Sequence, residues 1–388
     1  MTNRRLQITL QPHVLRWARE RAGLSRQDLA KKISVKLDRV TQWEQTGEIS
    51  VAQADKLAAK TYTPLGYLYL DNPPDESLPI QDFRTRAGQP PNRPSPNLLD
   101  TIYKMQLRQA WMRDHLIDNE EEPLSFVSAY SPDDDHARVA AALRTSLELD
   151  TGWAAHCRTW REALSFLRNR LDESGVLVVF NGIVGNNNHR KLDPQEFQGF
   201  ALVDEFAPLI FVNAADYIAA QIFTLAHEAV HLLIGETGLS SFDRLLPAHN
   251  ATERFCNRVA AEFLVPAEEM QAYWPAVQRE KDPHQKVARK FKVSAIVAAR
   301  RALDLRLIDR DAFFVFYEMH KDQGRRPPTD RSGGSFWNTQ RWRIGPRFGD
   351  AVVRATREGR LLYREAYSLT GLKRNTFEKL PEGMGIQL

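Results

Sequence analysis

Ile222-Phe-Thr-Leu-Ala-His-Glu-Ala-Val-His-Leu-Leu-Ile-Gly235 is the stretch whose reading decides the fold. It sets His227-Glu228-x-x-His231 inside an apolar run. A helix advances about 100° per residue, so the two histidines, four apart, share one face. Two imidazoles on adjacent turns can hold one zinc ion, and the carboxylate of Glu228 follows the first of them, where it reaches a water on that ion. One helical turn thus offers two ligands and a general base, the arrangement of a zinc peptidase. The plain alternative is a buried helix with two hydrogen-bonded histidines. The flanking Ile222, Phe223, Leu225, Val230, Leu232 and Leu233 weigh against it, because a helix so apolar is buried on most sides and an unpaired Glu228 there is costly.

A third ligand must come from elsewhere. The next helical segment reads Glu253-Arg-Phe-Cys-Asn257-Arg-Val-Ala-Ala-Glu262-Phe-Leu-Val-Pro266. Glu253 and Asn257 are four apart and share a face, which suits Glu253 as a ligand and Asn257 as a hydrogen-bonding partner that orients a ligating histidine. Glu262 is the rival. It lies on the opposite side of a straight helix, so both glutamates cannot face one ion, and the spacing favours Glu253. The plain reading of Glu253 as a solvated surface residue stands beside this one.

Phe-Thr-Leu-Ala-His227-Glu-x-x-His231 followed by Glu253-x-x-Cys-Asn257-x-x-Ala-Ala-Glu-Phe-Leu-Val-Pro resembles the ImmA/IrrE family of zinc metallopeptidases. The run Val203-Asp204-Glu-x-x-Pro208-Leu-Ile-Phe-Val-Asn213 and the Asp82-Phe-Arg-Thr85 stretch are similar to that family as well, so the likeness spans roughly 80–320. The resemblance implies His227, His231 and Glu253 as ligands of Zn2+, Glu228 as catalytic base, and a protein substrate. The chain departs at Cys256, where alanine is usual, and at Ala229-Val230, where Leu-Gly is usual; neither position is chemical. Tyr217 and His249 are conceivable donors to an oxyanion, and the spacing selects neither. Runs at 176–180, 200–203 and 209–212 predict a small sheet beside the zinc helix. Its edge offers an extended substrate backbone a place to pair.

The N-terminus carries an independent signal. Residues 12–70 read as short helices. Gly23-Leu-Ser25 breaks the first, Ser25 caps the second with Asp28 at the third helical position, and the third stops at Gly47. Gly23-Leu-Ser-Arg-Gln-Asp-Leu-Ala-x-x-Ile33-x-Val35, continued by Val40-x-x-Trp-Glu44-x-x-Gly47, is similar to the Cro/C1-type helix-turn-helix family. In that mode the second helix of the pair enters the major groove of double-stranded DNA. Lys36, Arg39, Thr41 and Gln42 would then be exposed on it, with Arg39 and Gln42 able to read base edges and Arg26, Lys31 and Lys32 suited to phosphates. Asp38 counts mildly against tight binding. The bland alternative is a helical module used only for protein contacts or for forming a homodimer.

The fold class expected is α+β and predominantly helical: a helix-turn-helix domain over 1–72, a Pro-rich linker over 73–98, a zincin-like domain over 99–322, and a basic helical domain over 335–388. From 321 onward there are 14 Lys/Arg against 7 Asp/Glu, so this tail is basic while the rest is slightly acidic. Its amphipathic stretch 348–358 and the pieces 363–369 and 371–377, two helices with a tight turn, suit nucleic acid, an acidic protein, or no partner at all. Asp133-Asp134-Asp135 reads as the cap of a helix near His136 and not as a metal cluster. No internal repeat is visible. Two cysteines without metal spacing, and no signal peptide or membrane-length apolar run, fit a reducing cytoplasm and no membrane partner.

Two functions remain open on sequence. One is a DNA-bound regulator whose zinc peptidase cleaves a partner such as a repressor. The other is an antitoxin-like regulator that binds its operator and a cognate toxin, with zinc as a structural clip. The intact Glu228 favours the first, because a structural site has no use for a base.

Overall fold

The computed structural model describes residues 6–83, 93–240, 250–320 and 335–386. They fall into two compact units, one reaching to residue 79 and including 93–102, the other holding 80–83 and 103 onward.

The first unit contains β1 (Gln7–Thr9), α1 (Pro12–Arg21), α2 (Arg26–Ile33), α3 (Leu37–Thr46), β2 (Glu48–Ser50) and α4 (Val51–Thr61). β1 and β2 pair antiparallel. The expected capping box closes α2: the Asp28 amide donates to Ser25 Oγ at 3.1 Å and the Ser25 amide to the Asp28 carboxylate at 3.2 Å. Gly47 ends α3 in the left-handed region, where a Cβ would strike the Leu10 carbonyl oxygen at 1.9 Å. Leu15, Leu29, Ile33, Val40, Trp43 and Leu57 form the core.

The second unit opens with β3 (Gln81–Asp82) and the greater part of α5 (Pro96–Asp118), a helix that starts inside the stretch expected to be linker. Then follow α6 (His136–Ser146), α7 (Trp160–Glu173), β4 (Leu177–Asn181), β5 (Ile183–Val184), β6 (Asn187–Lys191), β7 (Gly199–Leu202) and β8 (Leu209–Asn213). The metal-motif helix α8 (Ile218–Ile234), β9 (Gly238–Ser240), α9 (Ala251–Leu264), α10 (Ala267–Val277), α11 (Pro283–Phe291), α12 (Ala295–Asp304) and α13 (Arg310–His320) come next. The chain closes with α14 (Phe336–Ile344), α15 (Pro346–Arg357), α16 (Tyr363–Thr370), α17 (Arg374–Phe377) and α18 (Leu380–Met384). Asp135 caps α6 as its sequence predicts, accepting from the Arg138 amide at 2.9 Å.

Five strands make one mixed sheet in the order β3-β9-β7-β8-β4. β4 runs parallel to β8, β7 is antiparallel to both β8 and β9, and β3 is parallel to β9. β4 and β8 are buried along their whole length, hence their unbroken apolar runs. α8 packs on this sheet and on α9, and every residue from Gln221 to Ile234 is buried.

The basic C-terminal helices share the second unit. Buried Arg108 of α5 donates to the carbonyls of Leu369 (2.8 Å) and Arg343 (2.7 Å), filling the C-terminal ends of α16 and α14 with a cation. Arg168 of α7 stacks over Trp342, 4.7 Å from the ring centre, and Trp342 meets Phe180 of β4 edge-on at 4.9 Å.

Candidate metal centre

α8 carries His227 and His231 one turn apart with their Nε2 atoms 3.0 Å from each other. Glu253, in the first turn of α9, completes a triangle: Oε1 lies 3.1 Å from His231 Nε2 and Oε2 3.4 Å from His227 Nε2. A tetrahedral ion with bonds of about 2.0–2.1 Å keeps its ligand atoms about 3.3 Å apart, so the triangle has the size zinc requires. α9 is set by Asn250, which caps it, and by Phe255, Val259 and Phe263 in the shared core.

The charges fit a cation. Burial foremost, against the pull of Glu253, holds His227 below its ordinary value, so it stays neutral, the form that binds metal. Burial alone would raise Glu253, but His227 and His231 outweigh it and hold its carboxyl far below the usual range. Glu228 has no solvent exposure, and neither carboxylate oxygen makes a well-formed hydrogen bond among the described residues. Burial, then the Glu253 charge, push it well above its ordinary value; the nearby Ser240 hydroxyl works weakly the other way. A buried carboxylate this isolated calls for a positive partner. Gly199 of β7 makes room for it: a Cβ there would meet Thr224 Cγ2 at 2.6 Å and Glu228 Oε1 at 3.0 Å.

The alternatives separate cleanly. Glu262 is ion-paired with Arg301 and accepts the Ala267 amide at 3.1 Å, on the far side of α9 from the histidines. Asn257, one turn past Glu253, acts on His227 and favours its charged form. Cys256 comes nearer than its spacing suggested, with Sγ within 4.8 Å of both histidine donors. Burial pushes this thiol well above its ordinary value, so with no cation beside it the side chain is a neutral packed thiol. Tyr217 is the N-cap residue of α8, ten residues before His227 and about 15 Å from it along the helix axis. Burial and Asp216 raise it to about 12. His249 lies outside the described residues.

Phe83, assigned no role from sequence, stacks on His231 with ring centres 5.3 Å apart and planes at 18°. The only sequence signal was the Asp82-Phe-Arg-Thr85 stretch itself.

On α3, Lys36 and Arg39 are exposed and Thr41 and Gln42 half-buried. Arg39 donates to the Gln42 side-chain oxygen at 3.1 Å and Thr41 to the Leu37 carbonyl at 3.3 Å. Arg26 is exposed as well, and its guanidinium also donates to buried Glu44 at 2.8 Å.

Fold and site together define a helix-turn-helix protein joined to a domain with the zinc-peptidase motif. Residues 15–68 match the helix-turn-helix family, residues 171–303 match the IrrE N-terminal-like domain of the M78 peptidases, and residues 344–382 match a domain of unknown function. The chain therefore carries a Cro/C1-type helix-turn-helix domain and an IrrE/ImmA-like domain, the makeup of a DNA-binding regulator with an M78 domain. No curated protein matches it. Among the described residues no helix is long and apolar enough to cross a membrane.

Proposed function

We propose that this chain is a zinc-dependent endopeptidase that acts on a partner protein, such as a repressor, and regulates transcription from a DNA-bound position. The observation that carries the reading is the triangle of His227, His231 and Glu253 with the buried Glu228 beside it. Zinc, when bound, lowers the pKa of a water toward about 7 and polarises a carbonyl. Glu228 would take the proton of the attacking water and pass it to the leaving amine. Asn257 would orient His227, and Phe83 would fix the plane of His231. Arg26, Lys36, Arg39, Thr41 and Gln42 would hold operator DNA, with module boundaries near 72, 98, 322 and 335.

One observation favours a second reading, in which the domain binds a toxin-like partner without cutting it. His227, Glu228 and His231 have no solvent exposure, so a peptide must displace protein to reach them. Glu228→Gln separates the two readings. In the peptidase, zinc content and DNA affinity stay and cleavage of the co-purifying partner is lost. Equal partner processing by the parent and the variant, both loaded with zinc, would sink it.

A further inference from the structure

The final helices repeat the turn of the N-terminal helix-turn-helix, residues 25–43, at one constant offset. α2 and α16 are each eight residues long. Each is closed by a left-handed residue, Ser34 (φ 59°) and Gly371 (φ 71°), whose amide returns to the carbonyl four back, Ala30 and Tyr367. At the start, the Glu365 carboxylate accepts the Leu362 amide at 3.3 Å, as Asp28 accepts that of Ser25. Two residues past the left-handed position stands a lysine at the N-cap position of the next helix, Lys36 and Lys373, neither bonding the helix end with its side chain. Apolar side chains follow the left-handed residue at one, six and nine positions: Val35, Val40 and Trp43 in one case, Leu372, Phe377 and Leu380 in the other. All but the half-buried Val35 are buried. A longer helix with proline in its first turn packs behind each pair, α1 on α3 and α15 on α18.

Over the matched 19 positions the only identity is that lysine, so the repeat is one of burial and backbone, hidden from residue comparison. The copies differ in the second helix. Pro381 interrupts the C-terminal one, leaving α17 and α18 as two short turns. In the docking mode of this motif the N-terminal turn of the second helix touches bases, so a short helix suffices. That turn exposes Lys373, Arg374 and Asn375, and arginine and asparagine are the residue types that read guanine and adenine edges. Arg374 also pairs with Glu378 at 3.1 Å. Arg364, Lys373 and Lys379 are exposed with no ion pair among the described residues. Over 335–386 the chain has 10 Lys/Arg against 5 Asp/Glu, a balance that suits phosphate.

We propose that residues 346–384 are a second helix-turn-helix reader of double-stranded DNA, with Lys373, Arg374 and Asn375 at the groove and Arg364 and Lys379 on phosphates. This reading does not depend on the peptidase or on the N-terminal reader. The test uses the full chain and a 30-base-pair duplex of random sequence, titrated at several salt concentrations. Arg364→Glu with Lys379→Glu is expected to weaken binding at least tenfold and to lower the salt slope by about 2, the loss of two phosphate contacts. The same loss is expected in an Arg39→Ala, Gln42→Ala background. Lys281→Glu with Lys286→Glu, exposed on or near α11, serves as the charge control and leaves the slope unchanged. The proposal falls if the C-terminal pair matches the parent or the control. It falls equally if the pair spares the duplex and abolishes binding of single-stranded RNA of the same length. Thermal unfolding of the variant at the parent temperature guards against a folding defect.

Discussion

The ring of Phe83 lies on His231 and also covers the backbone of Gly238, where a Cβ would fall 1.9 Å from the Phe83 Cε2 atom. One phenylalanine therefore seats an imidazole of the candidate metal centre against the sheet, through the parallel pairing of β3 with β9. Phe83→Ala is expected to weaken zinc binding about tenfold, as loss of an orienting neighbour does. Gly238→Ala should do the same by expelling the ring. Competition with a chromogenic chelator measures both; unaltered affinity in both variants would show that the stack is incidental.

In the N-terminal unit, buried Glu44 is gripped by Arg19 (2.5 and 3.2 Å) and Arg26 (2.8 Å). Burial opposes its charge, and the two guanidiniums overcome this and hold its carboxyl below the ordinary value. Removing one partner of a buried pair leaves the other uncompensated, at a cost of about 3–5 kcal/mol. Glu44→Ala should accordingly speed hydrogen exchange across 12–61 and abolish DNA binding by that unit, with Glu44→Gln milder. Parent-like exchange in Glu44→Ala would refute the assignment.

Arg108 is buried, and burial lowers its pKa only to about 10, so it is cationic at neutral pH. Arg108→Met strands the carbonyls of Arg343 and Leu369, an expected loss of about 2–4 kcal/mol. Lysine cannot present the same planar fork, so Arg108→Lys should rescue little. Exchange over 346–384 reads the effect; full rescue by lysine would argue that charge alone matters.

Asp172, in the last turn of α7, accepts the Arg347 amide at 3.3 Å. Burial raises it from 3.8 to about 6, despite Arg168 nearby. The folded chain thus prefers the neutral acid. Stability from this group is fullest below pH 3.8 and falls as pH rises through about 6, by about 3 kcal/mol in all. Asp172→Asn should flatten that part of the stability profile and stabilise the protein at pH 7. Denaturant midpoints at pH 4.5 and 7 decide it, and a variant with the parent slope would remove Asp172 as the cause.

What the sequence discloses here is what lies within one or two helical turns. His227 and His231, and Glu253 with Asn257, are set by a period of four, and the rival Glu262 is excluded by the same rotation. Ser25 with Asp28, and Asp135, likewise act on amides three residues on. Contacts that depend on the folded path stay hidden. Phe83 reaches His231 only because β3 lies beside β9, Arg26 is captured by Glu44 from a different helix, and Arg108 looks like any arginine on an amphipathic helix. The C-terminal repeat escapes notice because burial needs only bulk at Leu372, Phe377 and Leu380, whereas Val35, Val40 and Trp43 supply it with other shapes.

Gly199 has a bearing on descent. Its hydrogen is all that fits between three neighbours: a Cβ there would meet Thr224 Cγ2 at 2.6 Å, the Phe211 carbonyl oxygen at 2.9 Å and Glu228 Oε1 at 3.0 Å. The two side chains could be trimmed, but the Phe211 oxygen belongs to the neighbouring strand and cannot swing aside. A homologous chain that replaced Glu228 would therefore still need glycine at 199, and the glycine reports on the sheet and not on the carboxylate beside it.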